Sequence, residues 1–234
     1  MGKPANAADG QPHIGTLAER SLHAALKERL AQPGDHLEVP VEGFVVDIVR
    51  GAALLEIQTA GLYQMKRKLR RLLPEYQITI YHPIPREKWI VRQSADGDFV
   101  SRRKSPKKGR VEDVFRELVR FGALLEQPNL TLIVLLTQEE EIWRDDGQGS
   151  WRRRRWSIHD RVLLDVIEEV SLATPADLLA RLPADLPDPF TNQELARALR
   201  IRPRLAQQIT YTLRHLDQLA LCGKRGRANL HARR

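Results

Sequence analysis

At 234 residues, 42% of them hydrophobic, the chain carries enough apolar material to bury a core as one large domain or two small ones. Its single Cys222 excludes an internal disulfide, and neither it nor the seven histidines fall into a zinc-binding spacing, which fits a reducing cytoplasm. The net charge of +8 is uneven: Thr191 to Arg234 holds ten Lys and Arg against Glu194 and Asp217, a surplus that points to a polyanionic partner through counterion release, with a merely soluble basic surface as the alternative.

The opening stretch MGKPANAADGQP lacks the apolar core of a signal peptide, and the longest apolar run, LTLIVLL, is too short to span a bilayer, so a soluble protein is expected. Leu17, Leu22, Ala25, Leu26 and Leu30 recur near helical spacing and predict a helix from Leu17 to Leu30, with Glu19 in its first turn and Pro33-Gly34 closing it. Three strands are expected next, at Leu37 to Val41, Phe44 to Val49 and Leu54 to Thr59. Leu62 to Leu73 reads as a helix bearing Lys66, Arg67, Lys68, Arg70 and Arg71. YQITIYHPI is a fourth strand, and KWIVRQSADGDFVSRR reads as a hairpin turning near Asp96-Gly97. A helix from Val111 to Leu125 and a strand at LTLIVLLT complete an α/β domain over residues 13–143, and residues 144–156, with RDDGQGS and WRRRRW, form a basic linker.

Beyond the linker, residues 157–234 read as a second, mainly α domain. Ser157 is expected to cap a helix through Val170, Thr174-Pro175 to open a short one, and Thr191 to Glu194 to form the capping box of a third. A longer helix from Arg204 to Leu219 and a short hairpin at CGKRGRANLHA follow.

Asp47 and Glu56 interrupt otherwise apolar strands. If Gly51-Ala52 are the two central residues of a hairpin turn, residue 50 pairs with 53, 48 with 55, and Asp47 faces Glu56, with Gln58 on the same face. Like charges opposed on an apolar hairpin destabilise it unless neutralised, and a divalent cation with hard oxygen ligands does so. The alternative places both acids at exposed strand ends or against arginines.

A helix with an acid, three antiparallel strands with Asp on the second and Glu-x-Gln on the third, a basic helix and a fourth strand: this order resembles the PD-(D/E)XK nuclease superfamily over His13 to Pro83. GFVVD and LLEIQT also look like the GhhD and (D/E)hK boxes of its RecB-like branch, h being apolar. The resemblance implies a restriction-endonuclease-like αβββαβ core and a nuclease acting on DNA with Mg²⁺, or Mn²⁺. It makes Glu19, Asp47, Glu56 and Gln58 the candidate catalytic residues, with Asp47, Glu56 and the Ile57 carbonyl as metal ligands. Gln58 stands where the family has Lys; an amide orients water but supplies no charge, although some restriction endonucleases of the superfamily carry Gln there. Val46 replaces the proline before the Asp, and the Gln-x-x-x-Tyr box of the RecB-like branch is met only by Gln64-x-x-x-Lys68, with Tyr63 displaced. Lys66 and Arg67 are candidate phosphate contacts, or part of a solvated face.

The stretch from Ser157 to the end looks like a winged helix-turn-helix module. Arg204, Gln207, Gln208, Thr210, Tyr211 and Arg214 would then face the major groove, and Lys224, Arg225 and Arg227 would lie on the wing. Leu205, Ile209, Leu213, Leu216 and Leu219 read as core. Such modules also bind proteins. Two functions follow from the whole: a metal-dependent DNA nuclease, dimeric if it cuts both strands, or a non-catalytic DNA-binding protein on a degenerate nuclease fold, for which the Gln58 substitution speaks.

Overall fold

A computed structural model describes residues 21–149 and 156–234. The chain is a mixed α/β protein built on a seven-stranded mixed sheet, with helices on both faces and a smaller helical unit with a three-stranded sheet at its C-terminal end. Helix α1 (Ser21–Leu30) leads into strands β1 (His36–Val41), β2 (Phe44–Arg50) and β3 (Ala53–Ile57), then a 3-10 turn (Leu62–Met65) and α2 (Lys66–Leu72). Strand β4 (Gln77–Gln93) turns at Gly97 into β5 (Phe99–Lys104). Helix α3 (Phe115–Phe121), with a 3-10 turn on each side, precedes β6 (Leu130–Arg144) and β7 (Ser157–Leu172).

The strand order is β1-β2-β3-β4-β6-β7, with β5 beside the far half of β4. β3, β4 and β6 run parallel to one another, while β1–β2, β2–β3, β4–β5 and β6–β7 pair antiparallel. Apolar residues alternate through β6: Leu130, Leu132, Val134 and Leu136 enter the core under α2 and α3, whereas Leu135 packs with Leu22 and Leu26 of α1 on the opposite face.

The expected β2–β3 hairpin forms in the expected register, Arg50 with Ala53, Val49 with Leu54 and Ile48 with Leu55, around a turn where Gly51 has φ +57°. The helix expected from Ser157 to Val170 is instead β7, which pairs along nearly all of β6. Three irregularities in that ladder leave His159, Leu164 and Ile167 without a partner opposite, so β7 gains an extra residue each time and its apolar residues fall out of strict alternation. Ser157–Leu172 thus belongs to the large sheet rather than to the C-terminal unit, and residues 144–156 connect two strands of one sheet.

That unit comprises α4 (Pro175–Leu179), a short strand β8 (Phe190–Thr191), α5 (Asn192–Ala198), α6 (Pro203–His215), β9 (Leu219–Arg225) and β10 (Ala228–Arg233). The Thr191–Glu194 capping box is made in both directions: the Glu194 amide donates to Thr191 Oγ1 at 3.3 Å and the Thr191 amide to Glu194 Oε2 at 2.7 Å. Helix α6 ends before the expected Leu219, because Asp217 turns left-handed at φ +57°. Leu205, Ile209 and Leu213 of α6 share one core with Phe115, Leu118 and Phe121 of α3. The C-terminal unit is therefore packed on the large sheet's helical layer. Among the described residues no helix is long and apolar enough to cross a membrane.

Candidate active site

The β2–β3 ladder stops at Ile48–Leu55, one pair short of the two acids. Beyond it the Ile57 amide donates to Asp47 Oδ2 at 2.8 Å, so a side chain takes the place of the missing backbone acceptor. Asp47 also lies 3.3 Å from His23 Nε2 on α1. Burial would push its carboxyl up, but the hydrogen bonds from His23 and the Ile57 amide, with the charges of His23 and Lys68, hold it below the usual carboxylate range.

Glu56 turns toward α2 and is only 7% exposed. Its carboxylate forms an ion pair with the Lys68 ammonium, which also donates to the Val45 carbonyl at 2.5 Å. Burial pushes Glu56 up to about 7; Lys68 opposes this, and the charge of Asp47 adds to it. Two carboxylates thus flank the point where the hairpin opens, Asp47 held ionised by His23 and the Ile57 amide, and Glu56 held by Lys68 and poised near neutrality.

Gln58 lies just past β3. Its amide hydrogen-bonds Tyr81 O at 2.9 Å, its side-chain Nε2 donates to the Ala60 carbonyl at 2.5 Å, and its carbonyl accepts from His82 Nδ1 at 2.6 Å. Burial holds His82 below its usual value, so the ring is neutral at pH 7 and the Nδ1 proton is the one that ties down the Gln58 backbone. Phe44, Glu56, Gln58, Gln64, Arg67 and Lys68 line a cleft of about 380 Å³. The Arg67 guanidinium lies over the Phe44 ring, 5.6 Å from its centre.

Glu19 lies outside the described residues, as does most of WRRRRW. Among the described residues no three His, Cys, Asp or Glu side chains converge into a ready metal cluster. Lys66, on α2, points away from the Glu56 cleft into a second one against α6. On α6 itself, Arg204, Gln207 and Tyr211 are exposed, and Gln208 and Arg214 half-buried, on one stripe. Thr210 departs from expectation: it is 2% exposed and donates to Asn192 Oδ1 at 2.7 Å, holding α6 to α5. Lys224, Arg225 and Arg227 stand exposed on the β9–β10 hairpin, where Arg225 is engaged by Glu194 at 2.6 Å.

Sequence reasoning missed three participants. Lys68 carried a signal, because it occupies the Tyr position of the partial Gln64-x-x-x-Lys68 box. His23 carried a weaker one, four residues after Glu19 and hence on the same face of the helix expected from Leu17 to Leu30. His82 carried none.

A family described as a domain of unknown function (DUF8091) matches residues 20–173. The chain belongs to this family. The DUF8091 match spans α1 through β7, so it takes in the whole seven-stranded sheet and ends before α4. An uncharacterized protein of Treponema pallidum (strain Nichols) is 32% identical over 222 residues, covering 93% of this chain and 86% of that relative. No solved structure matches the chain significantly.

Proposed function

We propose that the protein is a metal-dependent nuclease that hydrolyses DNA phosphodiester bonds, on a restriction-endonuclease-like core followed by a winged-helix DNA-binding module. Support for the core comes from the order α1-β1-β2-β3-α2-β4, with β3 antiparallel to β2 and parallel to β4. Support for the module comes from the order α4-β8-α5-α6-β9-β10 with β8, β9 and β10 in one small sheet. The observation that carries the reading is Glu56: a buried carboxylate pushed up to about 7 beside a second, ionised acid is costly unless a cation offsets both.

The donor set is hard: carboxylate oxygens of Asp47 and Glu56 and the Ile57 carbonyl, which suits Mg²⁺ or Mn²⁺, with Glu19 as a further acid. When bound there, the cation would acidify a coordinated water and offset charge on the phosphate. Hydrolysis forms one bond from the water oxygen to phosphorus and breaks one to the departing ester oxygen, which takes up a proton. Gln58 Nε2 gives one of its two hydrogens to the Ala60 carbonyl, and its Oε1 would accept a hydrogen bond from, and so orient, the attacking water. Lys68, paired with Glu56 and tethered at the Val45 carbonyl, would supply the positive charge that Gln58 lacks. Lys224 and Arg227 of the hairpin and Arg204 of α6 would hold the DNA backbone.

A second reading, a non-catalytic DNA-binding protein on a lapsed nuclease fold, draws on the same ion pair, since Lys68 neutralises Glu56 from within the chain. The deciding experiment incubates the protein with supercoiled plasmid and labelled single-stranded, forked and duplex DNA in Mg²⁺, Mn²⁺ or EDTA, beside Asp47→Asn and Glu56→Gln. Metal-dependent cleavage lost in both variants is expected. Tight, salt-dependent binding with no cleavage would replace the nuclease by the second reading.

A further inference from the structure

A second cleft, of about 340 Å³, lies between α6 and the 3-10 turn that starts α2. Its walls are aromatic and cationic: Tyr63 and Lys66 on one side, Tyr211 and His215 on the other, with Arg120 beside them. Tyr63 is 43% exposed and Tyr211 41%, large values for ring residues that face a cleft. The Arg120 guanidinium covers the Tyr63 ring at 5.5 Å from its centre, and the Tyr211 and His215 rings stand 4.0 Å apart. Apolar side chains, Gly122 and Thr212 complete the lining, and among the described residues no carboxylate lines the cleft.

Half-exposed tyrosine rings beside the Lys66 and Arg120 cations, with no described carboxylate in the lining to repel a phosphate, match the needs of an unpaired nucleobase and its flanking phosphates. An intact duplex keeps its base faces stacked on each other and has none to offer. The two clefts take successive residues of α2: Lys66 lines this one, and Arg67 and Lys68 line the Glu56 cleft.

We propose that this cleft binds an unpaired nucleotide of DNA, its base stacked on Tyr63 or Tyr211 and its phosphates held by Lys66 and Arg120. Resting on the nuclease reading, this makes the substrate of the Glu56 site single-stranded or flap-bearing DNA rather than intact duplex. Phosphate contacts on the β9–β10 hairpin would be shared by both forms of DNA; the stacking cleft serves only the open strand.

The test measures fluorescence anisotropy of labelled oligothymidylate and of a blunt duplex of equal length, in EDTA, with the full chain and its Tyr63→Ala, Tyr211→Ala, Tyr63→Phe and Tyr211→Phe variants. Each alanine should weaken single-strand binding roughly 5- to 100-fold, the range for losing one base stack, while both phenylalanines retain it; Tyr63→Ala, which lies off the α6 stripe, should leave duplex binding unchanged. Single-strand affinity indifferent to both alanines, or equal losses on duplex and single strand for Tyr63→Ala, would overturn the proposal. Because binding is read without metal, failure of cleavage in every metal would remove the nuclease reading and leave this result standing. Metal-dependent cleavage with tyrosine-indifferent binding would remove the cleft alone.

Discussion

The Lys68 ammonium of α2 lies against the Glu56 carboxylate of β3, so on the proposed nuclease reading the cation that the Gln58 position lacks reaches the same cleft from the neighbouring helix. The two routes are chemically equivalent at their ends: each puts an ammonium beside a β3 carboxylate. Lys68→Met should therefore lower single-turnover cleavage roughly 100- to 1000-fold, the range for losing one group that faces transition-state charge. Adding Gln58→Lys to Lys68→Met should recover part of that loss by delivering the ammonium from β3. Wild-type cleavage by Lys68→Met would reduce Lys68 to a counter-charge.

The same pair sets a pH dependence. Glu56 stands at about 7 in the folded chain against 4.5 in the open one, chiefly through burial. A folded value above the unfolded one means that its contribution to stability is complete below pH 4.5 and is lost as pH rises through 7. In EDTA, urea unfolding should show stability falling across this window by at most about 3 kcal/mol, at 1.36 kcal/mol per unit. Glu56→Gln should flatten the fall, and Mg²⁺ should stabilise the wild type at the alkaline end only. A wild-type profile identical to that of Glu56→Gln would show that Glu56 titrates normally.

The cationic hairpin makes an asymmetric prediction. Lys224 and Arg227 are exposed, whereas Arg225 is held by Glu194. Replacing Lys224 by Ala should reduce the slope of log affinity against log salt by about 1, as for one lost phosphate contact. Arg225→Ala should change it less, because its charge is already partly compensated. Equal slopes for both variants and the wild type would take the hairpin out of the DNA contact.

The β2–β3 hairpin was legible because a two-residue turn beginning with Gly51 leaves one pairing sum, and the strands keep it up to Ile48–Leu55. The approach of Lys68 to Glu56 was legible only in part: Leu62, Met65, Leu69 and Leu72 mark the buried face of this segment and put Lys68 beside it, but the spacing does not say which strand residue it meets. Strand β7 was misread for a physical reason. Ile158, Val162, Leu163, Val166, Ile167 and Val170 recur at intervals of three and four, which is the signature of a helix. The bulges at His159, Leu164 and Ile167 produce that rhythm in a strand, since each inserts a residue and flips the alternation. Leu164 and Ile167, left opposite no partner, are among the exposed large hydrophobics of the chain. The long parallel partner surface of β4 and β6 decides the outcome, and it is not visible locally.

Docking of the C-terminal unit supplies the last prediction. Gly122 follows α3, and a Cβ there would stand 3.1 Å from the Thr212 Cγ2 of α6. Its backbone, at φ −51°, suits any residue, so the requirement for glycine is steric rather than conformational. Gly122→Ala asks Thr212 to give by a few tenths of an ångström and should cost about 1 kcal/mol or less. Gly122→Leu cannot be absorbed that way: it should cost about 1–3 kcal/mol as overpacking, lowering Tm by about 2–4 °C per kcal/mol. Because Gly122 and Thr212 themselves line the cleft that holds Tyr63 and Tyr211, the wedge should also weaken oligothymidylate binding while leaving the Lys224 contribution to the salt slope intact. A Gly122→Leu protein with unchanged Tm and unchanged single-strand affinity would mean that α6 is not held against α3 in solution.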